Sequence, residues 1–147
     1  GTPNLDQNSL NALDSLTTNG LTKFNAKYGG GVPSACGEGA YSVNYVKNNV
    51  TYPVKYYSWG GVSQTTNILD PLDAGIQLLS AAFLFSGDKN DGLVSECSQR
   101  LGKVIRSNYW NNHLDAVNGF FGITNLLEVN PKSIYRTHAN RLQTAGL

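Results

Sequence analysis

The chain has 147 residues and a formal net charge of +1, with 11 Lys plus Arg against 10 Asp plus Glu. Charged residues make up only 14%, where roughly a quarter is usual, and 17 Asn, 16 Gly and 8 Tyr take their place. This balance excludes a basic surface built for nucleic acid, an acidic disordered tail and electrostatic capture by an anionic membrane, while the length suits one domain.

In chain order, residues 7–28 read as helical. Leu10, Leu13 and Leu16 recur at threes, Asn19-Gly20 breaks the run, and Leu21, Phe24 and Tyr28 resume on a second short helix. The Leu10, Leu13, Leu16 stripe suits core packing or the underside of a mobile lid. Gly29-Gly30-Gly31 and Pro33 end the helix. Tyr41, Val43 and Tyr45 alternate, as do Tyr52, Val54 and Tyr56, so residues 41–57 predict a β-hairpin turning at Asn48-Asn49. A helix is expected from Asp73 to Phe85, with Ile76, Leu79 and Phe83 on one face. The apolar stretch from Ile76 to Phe85 is too short to span a bilayer. Residues 86–92 are dense in turn formers. A short helix near Cys97, a strand through Lys103-Val104-Ile105 and a helical turn between Leu114 and Phe121 follow. Asn130 caps the last helix, with Pro131 at its first position and Ile134, His138 and Leu142 recurring at fours.

Two cysteines, Cys36 and Cys97, stand too far apart for a metal-type pair. An even count in a low-charge, Asn-rich chain favours a disulfide and an oxidising compartment; two buried thiols are the alternative. The chain opens on no basic residues followed by an apolar run, so an exported protein would here be in mature or cut form.

Of two histidines, His138 lies mid-helix in line with Ile134 and Leu142 and reads as structural. His113 lies on a loop after a strand, where side chains face sites. Asp91, in the loop Asn90-Asp91-Gly92, is an acid placed to orient it, and acid before histidine is the chain order of α/β-hydrolases. A nucleophile is missing. The elbow G-x-S-x-G is approached only by Gly61-Val62-Ser63-Gln64-Thr65, where Thr replaces the second glycine.

Several stretches together carry a resemblance. They are Phe24 to Tyr28, Ala35 to Tyr41, Tyr57-Ser58-Trp59, Asn90-Asp91-Gly92-Leu93-Val94 with Cys97-Ser98, Leu101-Gly102, Asn112-His113-Leu114-Asp115 with Val117-Asn118, and Tyr135 to Leu142. Over nearly its whole length the chain resembles the C-terminal half of secreted bacterial true lipases of the Pseudomonas–Burkholderia type. That resemblance implies an α/β-hydrolase fold with a disulfide-tied hairpin excursion and triacylglycerol lipase activity through a Ser-His-Asp triad. Asp91 and His113 resemble the triad acid and base, and Cys36 and Cys97 the family's disulfide. A structural calcium ion is implied, with carboxylates at Asp70 and Asp115 and backbone carbonyls at Gly119 and Ile123. Asp73 is the rival for Asp70. Relatives usually carry Gln where Gly119 stands, and glycine there is expected to be looser. Ala116 stands where relatives often carry Glu, a reserve acid for the histidine. Leu93, Val94, Leu114, Val117 and Phe120 fall on the acyl pocket of that pattern, or on ordinary core.

The resemblance divides the chain into lid-flanking helices (1–30), a disulfide-closed segment with the hairpin (36–97), and the histidine loop with the closing helix (98–147). It implies that serine and oxyanion hole come from a missing N-terminal half, that neutral lipid is the substrate, that the enzyme is secreted, and that a membrane-anchored foldase is a further partner. The alternatives are a calcium-stabilised secreted binding module without catalysis, or an inert fragment held by the foldase.

Overall fold

A computed structural model describes residues 17–84, 87–119 and 121–147. The Leu10, Leu13, Leu16 stripe and Phe120 lie outside the described residues.

Helix α1 spans Thr18–Tyr28. The Thr17 hydroxyl accepts the Gly20 N–H at 3.0 Å and caps it, satisfying one of the donors that a helix start leaves free. Asn19-Gly20 therefore lies inside the first turn and does not separate two helices, as the sequence had suggested. The hairpin is present, with β1 (Ser42–Lys47) antiparallel to β2 (Val50–Lys55). Its turn residues Asn48 and Asn49 take φ of 52° and 60°, the left-handed values that a tight two-residue hairpin turn demands and that asparagine tolerates.

Strand β3 (Tyr57–Gly61) pairs in parallel with β4 (Lys103–Tyr109). The register runs from Tyr57 opposite Lys103 to Gly61 opposite Tyr109, slipping on either side of Trp59. Parallel neighbours need a long crossover. Here it contains α2 (Asp73–Ser80), a 3-10 turn at Ala81–Phe83, and a second at Cys97–Gln99. The expected helix thus loses its α geometry after Ser80. Cys36 and Cys97 are joined in a disulfide, which fastens the segment before the hairpin to the crossover; closing a loop of 61 positions stabilises by at most about 4 kcal/mol in the chain-entropy view. The described residues thus form two small two-stranded sheets.

The closing helix α3 spans Pro131–Thr144. The Asn130 side chain accepts the Lys132 N–H at 2.9 Å, and Pro131, which has no N–H to leave unsatisfied, starts the helix. Ile134 is buried, and His138 stacks edge-on against Tyr57 and Trp59 of β3, with centroids 5.0 and 5.2 Å away. Tyr135 also meets Trp59, at 5.3 Å. His138 is thus the structural histidine of this packing. Arg141 Nη1 donates to its Nδ1 at 3.0 Å, so the ring proton resides on Nε2.

Burial, and then the Arg141 charge, hold His138 below its ordinary value of 6.5. A histidine with a depressed folded value binds protons more readily when unfolded, so stability is complete above that ordinary value and falls as the pH drops through the folded one. His138→Phe keeps the ring packing and removes the titration. We expect its urea midpoint to vary less than the parent's as the pH is lowered from 7 to 5, ranges in which histidine is the side chain that changes charge.

Candidate active site and carboxylate cluster

Asp91 stands in a loop whose shape is local chemistry. Its Oδ1 accepts the N–H groups of Leu93 and Val94 at 3.0 and 2.8 Å, and its own N–H donates to the Val94 carbonyl at 3.2 Å. Gly92 has φ of +100°, and a Cβ there would meet Ile76 Cγ2 at 2.2 Å, so α2 packs directly on the glycine. Gln99 Nε2 bridges the Val94 and Gly61 carbonyls at 3.0 and 2.9 Å, holding the loop to the end of β3.

The two residues separated in sequence meet here. His113 Nδ1 lies 2.9 Å from Asp91 Oδ2, and the His113 N–H donates to the Asp91 carbonyl at 2.9 Å. Asp91 is buried, whereas the His113 side chain is 43% exposed. With Nδ1 donating to the carboxylate, Nε2 carries a lone pair, and it has no hydrogen-bond partner among the described residues. The arrangement is an oriented base with an open face.

Asn112, which the sequence did not single out, sets the histidine's place. It is fully buried. Its Oδ1 accepts the N–H groups of Leu114 and Asp115, both at 2.9 Å, and its Nδ2 donates to Asp73 Oδ1 at 2.6 Å. It belongs to the Asn112-His113-Leu114-Asp115 stretch, but its place in that stretch gave it no role of its own; burial does.

A cavity of about 180 Å³ adjoins the pair, lined by Asp91, His113, Val94, Trp59, Tyr109 and Asn111 among others. Of the four expected acyl-pocket residues that are described, only Val94 lines it. Leu93 and Val117 are exposed at 42% and 69%, and Leu114 is half-buried elsewhere. Ser63 is not drawn to His113 either; its hydroxyl donates to the Thr65 carbonyl at 3.2 Å. A groove of about 580 Å³ beside the disulfide, between Leu21, Val32 and Leu101, contains none of these groups.

Beneath the histidine loop lie three buried carboxylates, Asp70, Asp73 and Asp115. Asp73 is saturated by protein donors: Oδ1 accepts Asn112 Nδ2, and Oδ2 accepts the Thr66 and Asn67 N–H groups at 2.6 and 2.8 Å. Asp70 Oδ1 accepts only the Leu72 N–H, at 2.8 Å. Asp115 is fully buried; Oδ2 accepts the Asn112 N–H at 3.2 Å, while Oδ1 has no partner among the described residues. The neighbouring Thr66 hydroxyl lies 3.4 Å from Asp73 Oδ2 and favours the charged form of Asp115 as well. Burial above all, and then the charges of Asp73 and Asp70, push the Asp115 carboxyl above the usual range. An orphaned, buried carboxylate oxygen beside a second acid is hard-cation chemistry, and the saturation of Asp73 favours Asp70 over it as the companion. No group of three or more His, Cys, Asp or Glu suited to a metal occurs among the described residues; two carboxylates with carbonyls make no such group.

Gly119 packs closely against the Ile123 backbone. It has φ of +60°, and a Cβ on it would meet the Ile123 carbonyl oxygen at 1.9 Å. The two positions expected to offer carbonyls therefore pack against each other, and a side chain at 119 would strain this arrangement.

No family model matches the chain. It is 52% identical over 142 residues, 96% of its length, to a triacylglycerol lipase of Vibrio cholerae serotype O1. It is also 39% identical over 154 aligned positions, covering all of it, to a triacylglycerol lipase of Pseudomonas fragi. The chain is a homologue of bacterial triacylglycerol lipases. A lipase of Burkholderia plantarii is 30% identical over 98% of the chain. The chain spans 42%, 50% and 46% of these three relatives, about half their length. Among the described residues, no helix is long and apolar enough to cross a membrane.

Proposed function

We propose that this chain supplies the acid and base of a secreted triacylglycerol lipase of α/β-hydrolase fold, whose serine and oxyanion hole reside on the other half of the protein. The observation that carries this reading is the double link of His113 to Asp91, 2.9 Å through the side chains and 2.9 Å through the backbone, in a homologue of triacylglycerol lipases. His113 Nε2 takes the serine proton as the hydroxyl attacks the ester carbonyl, then returns it to the leaving alcohol. In the second half-reaction it takes a proton from the water that attacks the acyl carbon and hands it to the serine oxygen as the ester bond to serine breaks, releasing the fatty acid. Asp91 holds the tautomer and balances the imidazolium charge. Its Oδ1 is already engaged by two N–H groups, so the carboxylate cannot turn away from the ring.

Two features support a missing half. Strand β3 pairs only with β4 among the described residues, although its Gly60 and Gly61 are buried and parallel strands are seldom left uncovered. Large apolar side chains such as Phe24, Ile68, Leu69 and Phe121 are exposed, more than a monomer usually shows. A binding module is favoured only by the exposed Tyr41, Tyr45 and Tyr52 of the hairpin, and it gives the oriented histidine no task. A foldase of such lipases would meet the same apolar surface.

Asp70 and Asp115, with the carbonyls of Gly119 and Ile123, would hold calcium. When bound, the ion supplies the positive charge that these buried carboxylates lack and locks the histidine loop. Without it, Asp115 loses stability as the pH rises from the ordinary carboxylate value through its raised one. Calcium is therefore expected to raise the thermal midpoint at neutral pH. Asp115→Asn should abolish that response, as read by calorimetry with calcium and with a chelator; an unchanged response would overturn the ligand assignment.

The decisive experiment treats the protein with a fluorescent alkyl phosphonate and separates it on a reducing gel. Labelling of a serine outside this sequence is expected, and no labelled species at all would sink the lipase reading in favour of a binding module. Asp91→Ala in the complete enzyme should lower kcat by about 10³–10⁴-fold. Ala116, which lines the cavity beside His113, offers no carboxylate to replace it, so retention of most activity would contradict the triad assignment.

A further inference from the structure

Glu128 lies at the far end of the loop that carries His113, and its carboxylate is held from both sides. The side chain is only 10% exposed. Arg106 of β4 grips it in a bidentate fashion, Nη2 to Oε2 at 2.9 Å and Nη1 to Oε1 at 3.3 Å. The Trp110 N–H donates to Oε2 at 3.1 Å and the Val129 N–H to Oε1 at 2.8 Å. Asn125 completes the closure: its Nδ2 donates to the Trp110 carbonyl, and its Oδ1 accepts the Leu127 N–H at 2.9 Å. Arg106 is itself aimed, donating from Nε to Asn108 Oδ1 at 2.9 Å and lying 4.2 Å from the Tyr109 ring centroid.

One carboxylate therefore ties the entry of the loop, Trp110, to its exit, Val129, and anchors both to the strand. Between these points the one helical element of the described residues is the 3-10 turn at Asp115–Val117, and none of the named strands lies there. His113 follows Trp110 by three positions, too short a tether to absorb a shift at the base. A bidentate pair fixes angle as well as distance, and a buried carboxylate that loses its guanidinium does not stay in place.

We propose that Glu128, held by Arg106, is a positioning residue: a clasp at the base of residues 110–128 that sets the approach of His113 to Asp91. This rests on the reading of His113 as the general base. Glu128 touches no reacting atom and acts only through the loop backbone.

The test uses the complete lipase, with rates expressed per site titrated by alkyl phosphonate so that unfolded molecules do not count. In Glu128→Ala, kcat on a soluble short-chain ester is expected to fall about ten- to a hundredfold with little change in KM, the scale of a misplacement near 1 Å. The acid limb of kcat/KM, which reports the base in the free enzyme, should move to lower pH as Asp91 supports the imidazolium less well. Glu128→Gln, which keeps the volume and one acceptor, should fall between the two and remains measurable if the alanine variant does not fold. The exchange Arg106→Glu with Glu128→Arg should not rescue, because arginine cannot accept the Trp110 and Val129 N–H groups. Unchanged kcat per site and an unchanged acid limb, or full rescue by the exchange, would overturn the clasp while leaving the lipase reading intact. Absence of phosphonate labelling in the parent overturns both.

Discussion

The buried amide of Asn112 is the contact on which the rest of the site depends. Its oxygen turns the backbone at Leu114 and Asp115, and its nitrogen binds Asp73, which in turn holds Thr66 and Asn67. Through this one side chain the histidine loop, the carboxylate cluster and the start of the crossover become a single polar unit. An amide can do this where a carboxylate cannot, because it donates and accepts at once. Its burial among acids is tolerable only because both ends are satisfied.

Around that unit the interior is more polar than apolar. Among the described residues Ile76 and Ile134 are the buried large hydrophobes, whereas Ser58, Asp70, Asp73, Asn90, Asp91, Asn111, Asn112, Asp115 and Thr124 are all buried. Hydrogen bonds of this kind each contribute only about 1 kcal/mol net, so they specify position better than they drive collapse. The large apolar side chains that would drive it are exposed. Such a division accords with the proposal that another half of the protein covers the exposed apolar side chains. The span of about half the length of its lipase relatives fits the same picture.

Much of the local structure was legible from the residues. The Asn48-Asn49 turn, the Asn130-Pro131 start of the last helix and the loop at Asn90-Asp91-Gly92 follow from backbone preferences that act over a few positions. The end of α2 at Ser80 and the continuity of α1 through Asn19-Gly20 were misjudged for the same reason: a cap or a change of helical pitch costs little, and side-chain spacing hardly registers it. The pocket residues were legible least. Leu93, Leu114 and Val117 are apolar and near the site in sequence, but which way a loop side chain faces depends on what packs against it. Trp59, which does line the cavity, comes from a strand far from either loop in sequence, and Tyr109, which also lines it, ends the strand just before the histidine loop.

The sequence by itself determined the low charge, the hairpin and its turn, the capped closing helix, and an acid and a histidine each on a loop, because these depend on composition and on short-range sterics. It also carried, as a likeness, the kinship to lipases. Only the tertiary structure brought Asp91 to 2.9 Å from His113, closed Cys36 onto Cys97, left Asp115 with an unanswered oxygen and gathered the ends of the histidine loop on Glu128. Each of these joins residues brought together by a turn or crossover of the backbone, and a hydrogen bond between side chains depends on tenths of an ångström that spacing along a chain does not encode.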